Sequence, residues 1–270
     1  MTAADAQKEV KMTQKERRLY LLHELLKEQP AYKNMEIPEG EESQKRLLRS
    51  LFNIRLPEPV SQEFLKIQDA YLQEETREKG ITRLADLHPV QKEIYIWKGD
   101  ITTLQCDAIV NAANSQMLGC FVPCHGCIDN AIHTFAGVQL RLACARLMAE
   151  QGHEEETGRA KITPAFNLPS CYVLHTVGPI VGCRLTKKDK VQLASCYRSC
   201  LELAEQNKIK SIAFCCISTG EFHFPNNTAA EIAVKIVKEY KERTNSKIEV
   251  IFNVFKETDF YIYRKLLGSD

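Results

Sequence analysis

A loop between residues 120 and 127, the Cys/His loop, holds three cysteines and a histidine. The spacing Cys120-x4-His125-x-Cys127 lets two thiolates and one imidazole close around a single Zn²⁺ ion. A structural zinc site needs a fourth protein ligand, and Cys124 is the candidate, but its neighbour His125 makes it difficult for both to face one ion. Three protein ligands with an open position is the pattern of a catalytic zinc site. The alternative is a cysteine-rich loop that binds no metal.

The same loop contains the P-C-x-x-C pattern of zinc-dependent nucleobase deaminases, from Pro123 to Cys127. Those enzymes also need an upstream H-x-E, in which the glutamate moves a proton. The nearby upstream histidine, His88, is followed by Pro89 and Val90, so no glutamate occupies the required position. The sequence therefore argues against a deaminase.

A second candidate for ligand binding is the turn that follows the apolar run 212–217. Its small residues allow backbone N–H groups to converge on an anion, and a helix predicted to start near Asn226 adds its positive end. The turn has no basic side chain, so backbone donors would hold a phosphate. A plain turn without a ligand is an equally common alternative. The residues of this turn are Ser218, Thr219, Gly220, Glu221 and Phe222.

Asp129 and His133 lie four positions apart on the helix predicted after the Cys/His loop. Asp129 is either a first-turn carboxylate stabilised by the helix dipole or a catalytic carboxylate, and position alone leaves both open. We expect His133 to be a buried histidine with satisfied hydrogen bonds. We expect His175, in the middle of an apolar segment, to be structural as well.

An alternation of strands and helices from about residue 92 positions these groups. Four strand segments are almost entirely apolar, as in a sheet covered on both faces. This pattern predicts a three-layer α/β/α sandwich with ligands at the carboxyl ends of the strands. Strands are predicted at 94–97, 107–111, 160–163, 172–177, 211–217 and 249–254, and helices near 127–150, 189–207, 227–243 and 257–267.

Residues 1–85 have a helical pattern instead. Thr13 and Glu16 form a predicted capping box before an apolar stripe. Ser43 and Ser61 are candidate caps for two further helices, and Gly80 lies at an expected helix end. We therefore predict a helical N-terminal extension over residues 1–88, packed on an α/β domain over residues 89–270.

The composition of the 270-residue chain, 44% hydrophobic and 26% charged, is typical of a soluble globular protein. A net charge of +1 argues against a dedicated nucleic-acid surface. No apolar stretch reaches the ~18 residues that a membrane span needs. The N-terminal residues have no apolar core, so we expect no secretory signal. The eleven cysteines are then expected to be reduced thiols or metal ligands in a cytoplasmic protein.

Four motifs, taken together over about residues 90–268, resemble the macrodomain family. Each motif is modest alone, but their order, spacing and placement at strand ends are specific. The resemblance implies a three-layer fold with a mixed central sheet that binds ADP-ribose. The motifs are GDIT at 99–102, DAIVNAAN at 107–114, VLHTVGP at 173–179 and STG at 218–220.

The resemblance also assigns binding residues. Asp100 would bind the adenine amino group, and Ile101 would line the same site. Phe255 could stack on the adenine ring, Asn114 would hold the distal ribose, and residues 218–222 would wrap the phosphates. The expected partners are ADP-ribose and ADP-ribosylated protein, with neither nucleic acid nor membrane.

The Cys/His loop departs from most macrodomains, which have a run of glycines after N-A-A-N. This substitution and the helical extension resemble the zinc-containing macrodomains of microbes, whose members are protein ADP-ribosyl hydrolases. On that pattern the zinc ligands are Cys120, His125 and Cys127, and Cys124 is a neighbour. Asp129 falls where hydrolytic macrodomains place a catalytic aspartate.

The resemblance thus implies a Zn²⁺-dependent hydrolase that removes ADP-ribose from protein, cleaving an ester between the distal ribose and an acidic side chain. Zn²⁺ would polarise a ribose oxygen or lower the pKa of a bound water. Asp129 would orient or deprotonate that water, and Asn114 would fix the ribose. Two alternatives share the binding residues: a reader that binds ADP-ribose without turnover, and an enzyme that cleaves O-acetyl-ADP-ribose. Asp129 and an open metal position distinguish an enzyme from a reader.

Overall fold

A seven-stranded mixed sheet runs through residues 12–32 and 34–268, which the computed structural model describes. The strands are β1 (Thr82–Arg83), β2 (Pro89–Gln91), β3 (Ile94–Lys98), β4 (Leu104–Gln105), β5 (Ala108–Ala113), β6 (Ala160–Pro164), β7 (Tyr172–Val177), β8 (Ser211–Phe214) and β9 (Glu249–Val254). The order of the sheet is β2-β3-β9-β8-β5-β7-β6, with five parallel central strands and antiparallel strands at both edges. Two short strands, β1 and β4, pair separately.

Helices cover the sheet, and the central strands are almost entirely buried. The helices are α1 (Gln14–Glu28), α2 (Glu41–Ile54), α3 (Gln62–Lys79), α4 (Ile128–Ala136), α5 (Val138–Gln151), α6 (Lys187–Gln206), α7 (Asn226–Thr244) and α8 (Glu257–Leu267). Helices α6, α7 and α8 pack side by side, while α4 and α5 form a second group against β5 and β6. The predicted three-layer α/β/α fold with a mixed sheet is confirmed.

The parallel strands bring the predicted site together, because their carboxyl ends meet at one edge of the sheet. The segment after β3 begins at Gly99, the long segment after β5 contains the Cys/His loop, and the 218–222 turn lies beyond β8. Phe255 directly follows β9. Sequence segments more than 100 positions apart therefore reach the same edge.

Within the α/β domain, two predicted elements differ clearly from the structure. The single helix predicted over 127–150 is wrong, because Gly137 adopts φ 91° and separates α4 from α5. A side chain at Gly137 would meet the amide of Gln68 on α3 at 2.6 Å, so glycine is required there. The strand predicted over 211–217 ends at Phe214, the last residue of β8 that pairs with β9, and the chain later turns through Ser218 at φ 65°.

The three N-terminal helices have an apolar core of their own, which includes Leu22, Leu51 and Phe64. Thr13 forms the predicted capping box, and Ser61 caps α3, which ends at Gly80. The cap predicted at Ser43 is wrong. Helix α2 begins earlier, at Glu41, because the acidic side chains of its first turn favour the positive helix end.

The domain boundary between residues 88 and 89 stays a prediction. None of the described helices is long and apolar enough to cross a membrane.

Candidate active site

The three side chains predicted to bind metal come together in the Cys/His loop. One ligand atom from each of Cys120, His125 and Cys127 lies within 4.8 Å of the other two. The Cys120 Sγ and His125 Nδ1 atoms are 3.7 Å apart. A sulfur and a nitrogen ligand in a tetrahedral zinc site are separated by about 3.6 Å. All three residues are half-buried. Their donor set, two thiols and one imidazole, fits Zn²⁺.

Cys127 has a second position in the fold as the N-cap of α4, where its Sγ accepts a hydrogen bond from the Asn130 backbone N–H at 3.4 Å. Burial raises the pKa of the Cys127 thiol to about 12, so the metal-free thiol is protonated at neutral pH. A coordinated cation deprotonates such a thiol outright. The helix start therefore fixes the sulfur, and cation binding would be accompanied by proton release.

Cys124 lies against α2 and is not part of this group. Its Sγ is 3.2 Å from the Ser50 Oγ and 3.4 Å from the Arg46 carbonyl oxygen. Its backbone N–H donates to the Asn53 side-chain oxygen at 2.8 Å. The geometry therefore gives Cys124 a packing position beside the helical extension.

A second group of ligand-type residues, His133, Cys144 and His175, is fully buried in the core. Both ring nitrogens of His175 have partners, the Asn111 amide at 3.2 Å and the Thr163 hydroxyl at 2.9 Å. Burial lowers the pKa of His175 to about 3 and raises the pKa of the Cys144 thiol to about 12. Burial and these hydrogen bonds agree with the structural role expected for His175, which stays a prediction.

Asp129 is 5% exposed and lies between the Cys/His loop and the buried histidines. Its Oδ1 accepts a hydrogen bond from Asn111 Nδ2 at 2.8 Å and is 3.5 Å from His133 Nε2. Burial raises the pKa of Asp129 to about 6, against the opposing effects of the Asn111 hydrogen bond and the Arg141 charge. His133 is buried, but among the described residues neither ring nitrogen has a hydrogen-bond partner. The expectation of satisfied hydrogen bonds for His133 was therefore wrong.

The 218–222 turn presents backbone donors, as an anion site requires. Four of its N–H groups, all except that of Thr219, donate to no acceptor in the described chain. The turn is held by Phe224 N–H donating to the Ser218 carbonyl oxygen and by the Phe222 carbonyl accepting from Val181. Gly178, just after β7, allows the turn to lie close to the end of that strand, since a Cβ at Gly178 would lie 2.1 Å from Ser218 Oγ.

The turn and the Cys/His loop meet through one pair of side chains. Glu221 Oε1 lies 3.7 Å from His125 Nε2, on the opposite side of the ring from the Nδ1 that faces Cys120. A carboxylate at the second nitrogen of a ligating histidine orients the ring and increases its basicity. The candidate metal site and the candidate anion site are therefore adjacent.

The other predicted binding residues lie on the segments after β3 and β9. Asp100 Oδ1 accepts from the Thr102 backbone N–H at 3.0 Å, while its Oδ2 lies 3.3 Å from Lys79 Nζ on α3. Ile101 is buried, and Phe255 is 77% exposed. The structure thus leaves the Phe255 ring free to stack and places the extension beside Asp100.

Asn114 holds the start of the long segment after β5. Its Oδ1 accepts from the Gln116 backbone N–H at 3.1 Å, and its Nδ2 donates to the Gly119 carbonyl oxygen at 3.1 Å. Asn114 therefore shapes the backbone that leads directly into Cys120.

Comparisons with known proteins agree with this architecture. Residues 110–233 match the model of the Macro domain family. A protein-ADP-ribose hydrolase of Treponema medium is 61% identical over 261 residues, which cover 95% of this chain and 100% of that relative. The chain belongs to the macrodomain family. A protein-ADP-ribose hydrolase of Staphylococcus aureus is 47% identical over 253 residues, with 93% of this chain and 95% of the relative covered.

A solved structure supports the same assignment. The crystal structure of the Trypanosoma brucei macrodomain in complex with ADP-ribose is 33% identical, with a TM-score of 0.64. The match covers 85% of this chain and 97% of that one. The similarity therefore extends beyond the α/β domain of this macrodomain into its N-terminal region.

Three residues that contact the candidate site of this macrodomain were not identified from sequence. Asn111 bonds Asp129, and its place in the N-A-A-N motif was an available signal. Arg141 on α5 donates to the Leu118 carbonyl oxygen at 2.7 Å, just before the Cys/His loop. Arg49 on α2 donates to the loop itself. No local pattern marks either arginine, because each lies on a helix whose contact partner is distant in sequence.

Proposed function

We propose that this macrodomain is a zinc-dependent hydrolase that releases ADP-ribose from modified protein by cleaving an ester between the distal ribose and an aspartate or glutamate side chain. The observation that carries the proposal is the contact between His125 of the metal group and Glu221 of the anion-binding turn. This contact supports the proposal, because His125 as a metal ligand would then lie next to the donors expected to hold the phosphates. The two relatives described above are named protein-ADP-ribose hydrolases, which supports the reaction class.

In this proposal the binding residues divide ADP-ribose between three segments. Asp100 and Ile101 hold the adenine, with the exposed Phe255 ring stacked on it. The free N–H groups of the 218–222 turn bind the phosphates, since a backbone donor site needs no basic side chain. Asn114 fixes the distal ribose at the entrance to the Cys/His loop.

Zn²⁺ would be held by Cys120, His125 and Cys127, whose donor set and spacing fit it. When bound with one open position, zinc supplies Lewis-acid polarisation or an acidified water. Asp129, two positions after Cys127, orients the attacking water or takes its proton. Asn111 holds the Asp129 carboxylate through the 2.8 Å hydrogen bond. The chain thus supplies a positioned carboxylate as well as a binding site.

The decisive experiment incubates the purified protein with a protein that carries ADP-ribose on acidic residues, with and without a chelator, and measures released ADP-ribose by mass spectrometry. A matched substrate modified on serine tests the ester requirement. We expect release from the acidic-residue substrate alone, and loss of release in chelator that added zinc restores. Tight ADP-ribose binding with no release from either substrate would instead identify a reader.

A further inference from the structure

Helix α2 of the N-terminal extension contacts the backbone of the Cys/His loop directly. Arg49 Nη2 donates to the carbonyl oxygen of His125, a candidate metal ligand, at 3.0 Å. The same guanidinium donates twice to Asn130 Oδ1, at 2.8 Å from Nη2 and 3.2 Å from Nε. A single planar group therefore binds both the loop and the first turn of α4, which only arginine can do with fixed geometry.

Asn130 transmits this contact to two more points of the loop. Its side chain is fully buried, and its Nδ2 donates to the Val122 carbonyl oxygen at 3.0 Å. Its backbone N–H donates to Cys127 Sγ at 3.4 Å. Arg49 and Asn130 thus form one connected set of hydrogen bonds. It contacts two candidate metal ligands, His125 and Cys127, and also Val122, between Cys120 and His125.

The loop has little internal support of its own. Among its described residues, the backbone bond within the loop is the one from His125 N–H to the Val122 carbonyl oxygen, at 3.2 Å. Asn53 on α2 adds an external bond from the Cys124 N–H. A loop that carries three ligands loses conformational freedom when it closes around an ion, so prior ordering by a rigid helix strengthens binding.

We propose that Arg49 is a positioning residue of the metal centre, which holds the Cys/His loop in its ligating shape. The inference rests on the metal site of the proposed function and extends it to the helical extension. Outer contacts that orient metal ligands typically change metal affinity by about 10–100-fold when removed. The helical extension then helps to form the metal site, in addition to packing beside it.

Arg49→Met tests this, with Arg17→Met as the matched control. Arg17 is also half-buried and also donates to a side-chain amide oxygen and a backbone carbonyl, but both partners, Gln14 and Ala70, lie within the extension. Zinc transfer from each loaded protein to a chromogenic chelator is followed over time, and the melting temperature of each is measured. We expect Arg49→Met to release zinc about 10–100-fold faster and Arg17→Met to match the wild type.

Arg49→Lys adds a conservative step, because an ammonium group can reach one of the two carbonyl-type acceptors but not both in the same geometry. Its zinc release should lie between those of wild type and Arg49→Met. If Arg49→Met does not fold, Arg49→Lys decides: release at the wild-type rate overturns the inference. Wild-type protein that binds zinc while Arg49→Met behaves like Arg17→Met overturns the role of Arg49 alone. Wild-type protein that binds no zinc overturns the metal site itself.

Discussion

At the scale of single residues, position within a few ångströms decides which cysteine belongs to the candidate metal group. Cys124 and Cys127 are three positions apart, yet the thiol of Cys124 packs on Ser50 of α2 while that of Cys127 faces Cys120 and His125. The adjacency of Cys124 and His125 already made a shared ion difficult. The structure gives the physical reason, since the Cys124 backbone adopts φ 52° and bonds Asn53.

The first prediction compares these two cysteines. Cys127→Ser is expected to lose stoichiometric zinc, because a hydroxyl is a poor substitute for a thiolate ligand. Cys124→Ser should keep it, since a hydroxyl can still bond Ser50 and the Arg46 carbonyl oxygen. Elemental analysis of protein purified without chelator measures both. Loss of zinc from Cys124→Ser with retention in Cys127→Ser would mean that the ligands were assigned wrongly.

A second prediction concerns Asp129. Asp129→Ala should reduce turnover by about 10²–10⁴-fold, the usual contribution of a general base. ADP-ribose affinity should change little, because other residues hold the adenine and the phosphates. The variant also leaves one N–H of the buried Asn111 amide without the Asp129 acceptor, which costs about 1–3 kcal/mol of stability.

The control for Asp129 is Asp189→Ala, which removes the first-turn carboxylate of α6 and its capping box. Turnover is measured with ADP-ribosylated protein, affinity by calorimetry and stability by urea unfolding. If Asp129→Ala resembles Asp189→Ala, with lower stability and wild-type turnover, then Asp129 is only a helix-start carboxylate.

At the scale of elements, the 218–222 turn is defined by its backbone and not by its side chains. Gly220→Glu should abolish ADP-ribose binding, because a carboxylate at the turn would meet the phosphates with like charge. The fold should persist, since a Cβ on Gly220 meets no atom within 4 Å.

Gly40→Glu is the control for this prediction. It makes the same change at a glycine of the extension, where a Cβ would meet one atom, Ser43 Oγ at 3.7 Å. Calorimetry should detect binding only in the control; equal affinity in both would place the ligand elsewhere.

Local sequence patterns predicted most elements because each has a local cause. Thr13 capped α1 as expected, and the apolar strands were found within a few residues. The helix break at Gly137 was missed because a glycine in a helical pattern does not by itself reveal that it adopts φ 91° and lies against α3. Within the site, the Cys/His loop was recognisable from its spacing. Arg49 and Arg141 were not, because their partners lie 76 and 23 positions away.

At the scale of the whole molecule, two apolar cores are joined by buried polar contacts near the site. Arg141 is 5% exposed and donates from α5 to the carbonyl oxygens of Phe52 and Arg55 at the end of α2. Asn53 bonds Thr134 of α4 at 2.9 Å. Since buried polar groups are costly to separate from their partners, the extension and the sheet are expected to unfold together.

The stability of the whole protein is expected to depend on pH through His175, whose neighbours are Asn111, Thr163, Cys144 and the ring of His133. Burial lowers its pKa to about 3 in the folded protein, against about 6.5 in an unfolded chain. As the pH falls, His175 therefore binds a proton in the unfolded chain at a higher pH than in the folded protein. The free energy of unfolding should fall from about pH 6.5 toward pH 3, by about 1.4 kcal/mol per pH unit for this group.

His175→Gln removes that titration while an amide can still bond Asn111 and Thr163. Urea unfolding of both proteins between about pH 7 and pH 4.5 measures the two slopes, and the variant's slope should be smaller by about one proton. The carboxylates and any zinc release are common to both proteins, so their contributions cancel in the difference. Burial, the largest cause of the lowered pKa of His133, is expected to keep that ring neutral in both. Parallel slopes would show that His175 takes up no additional proton on unfolding, and that its burial as a neutral ring does not limit acid stability.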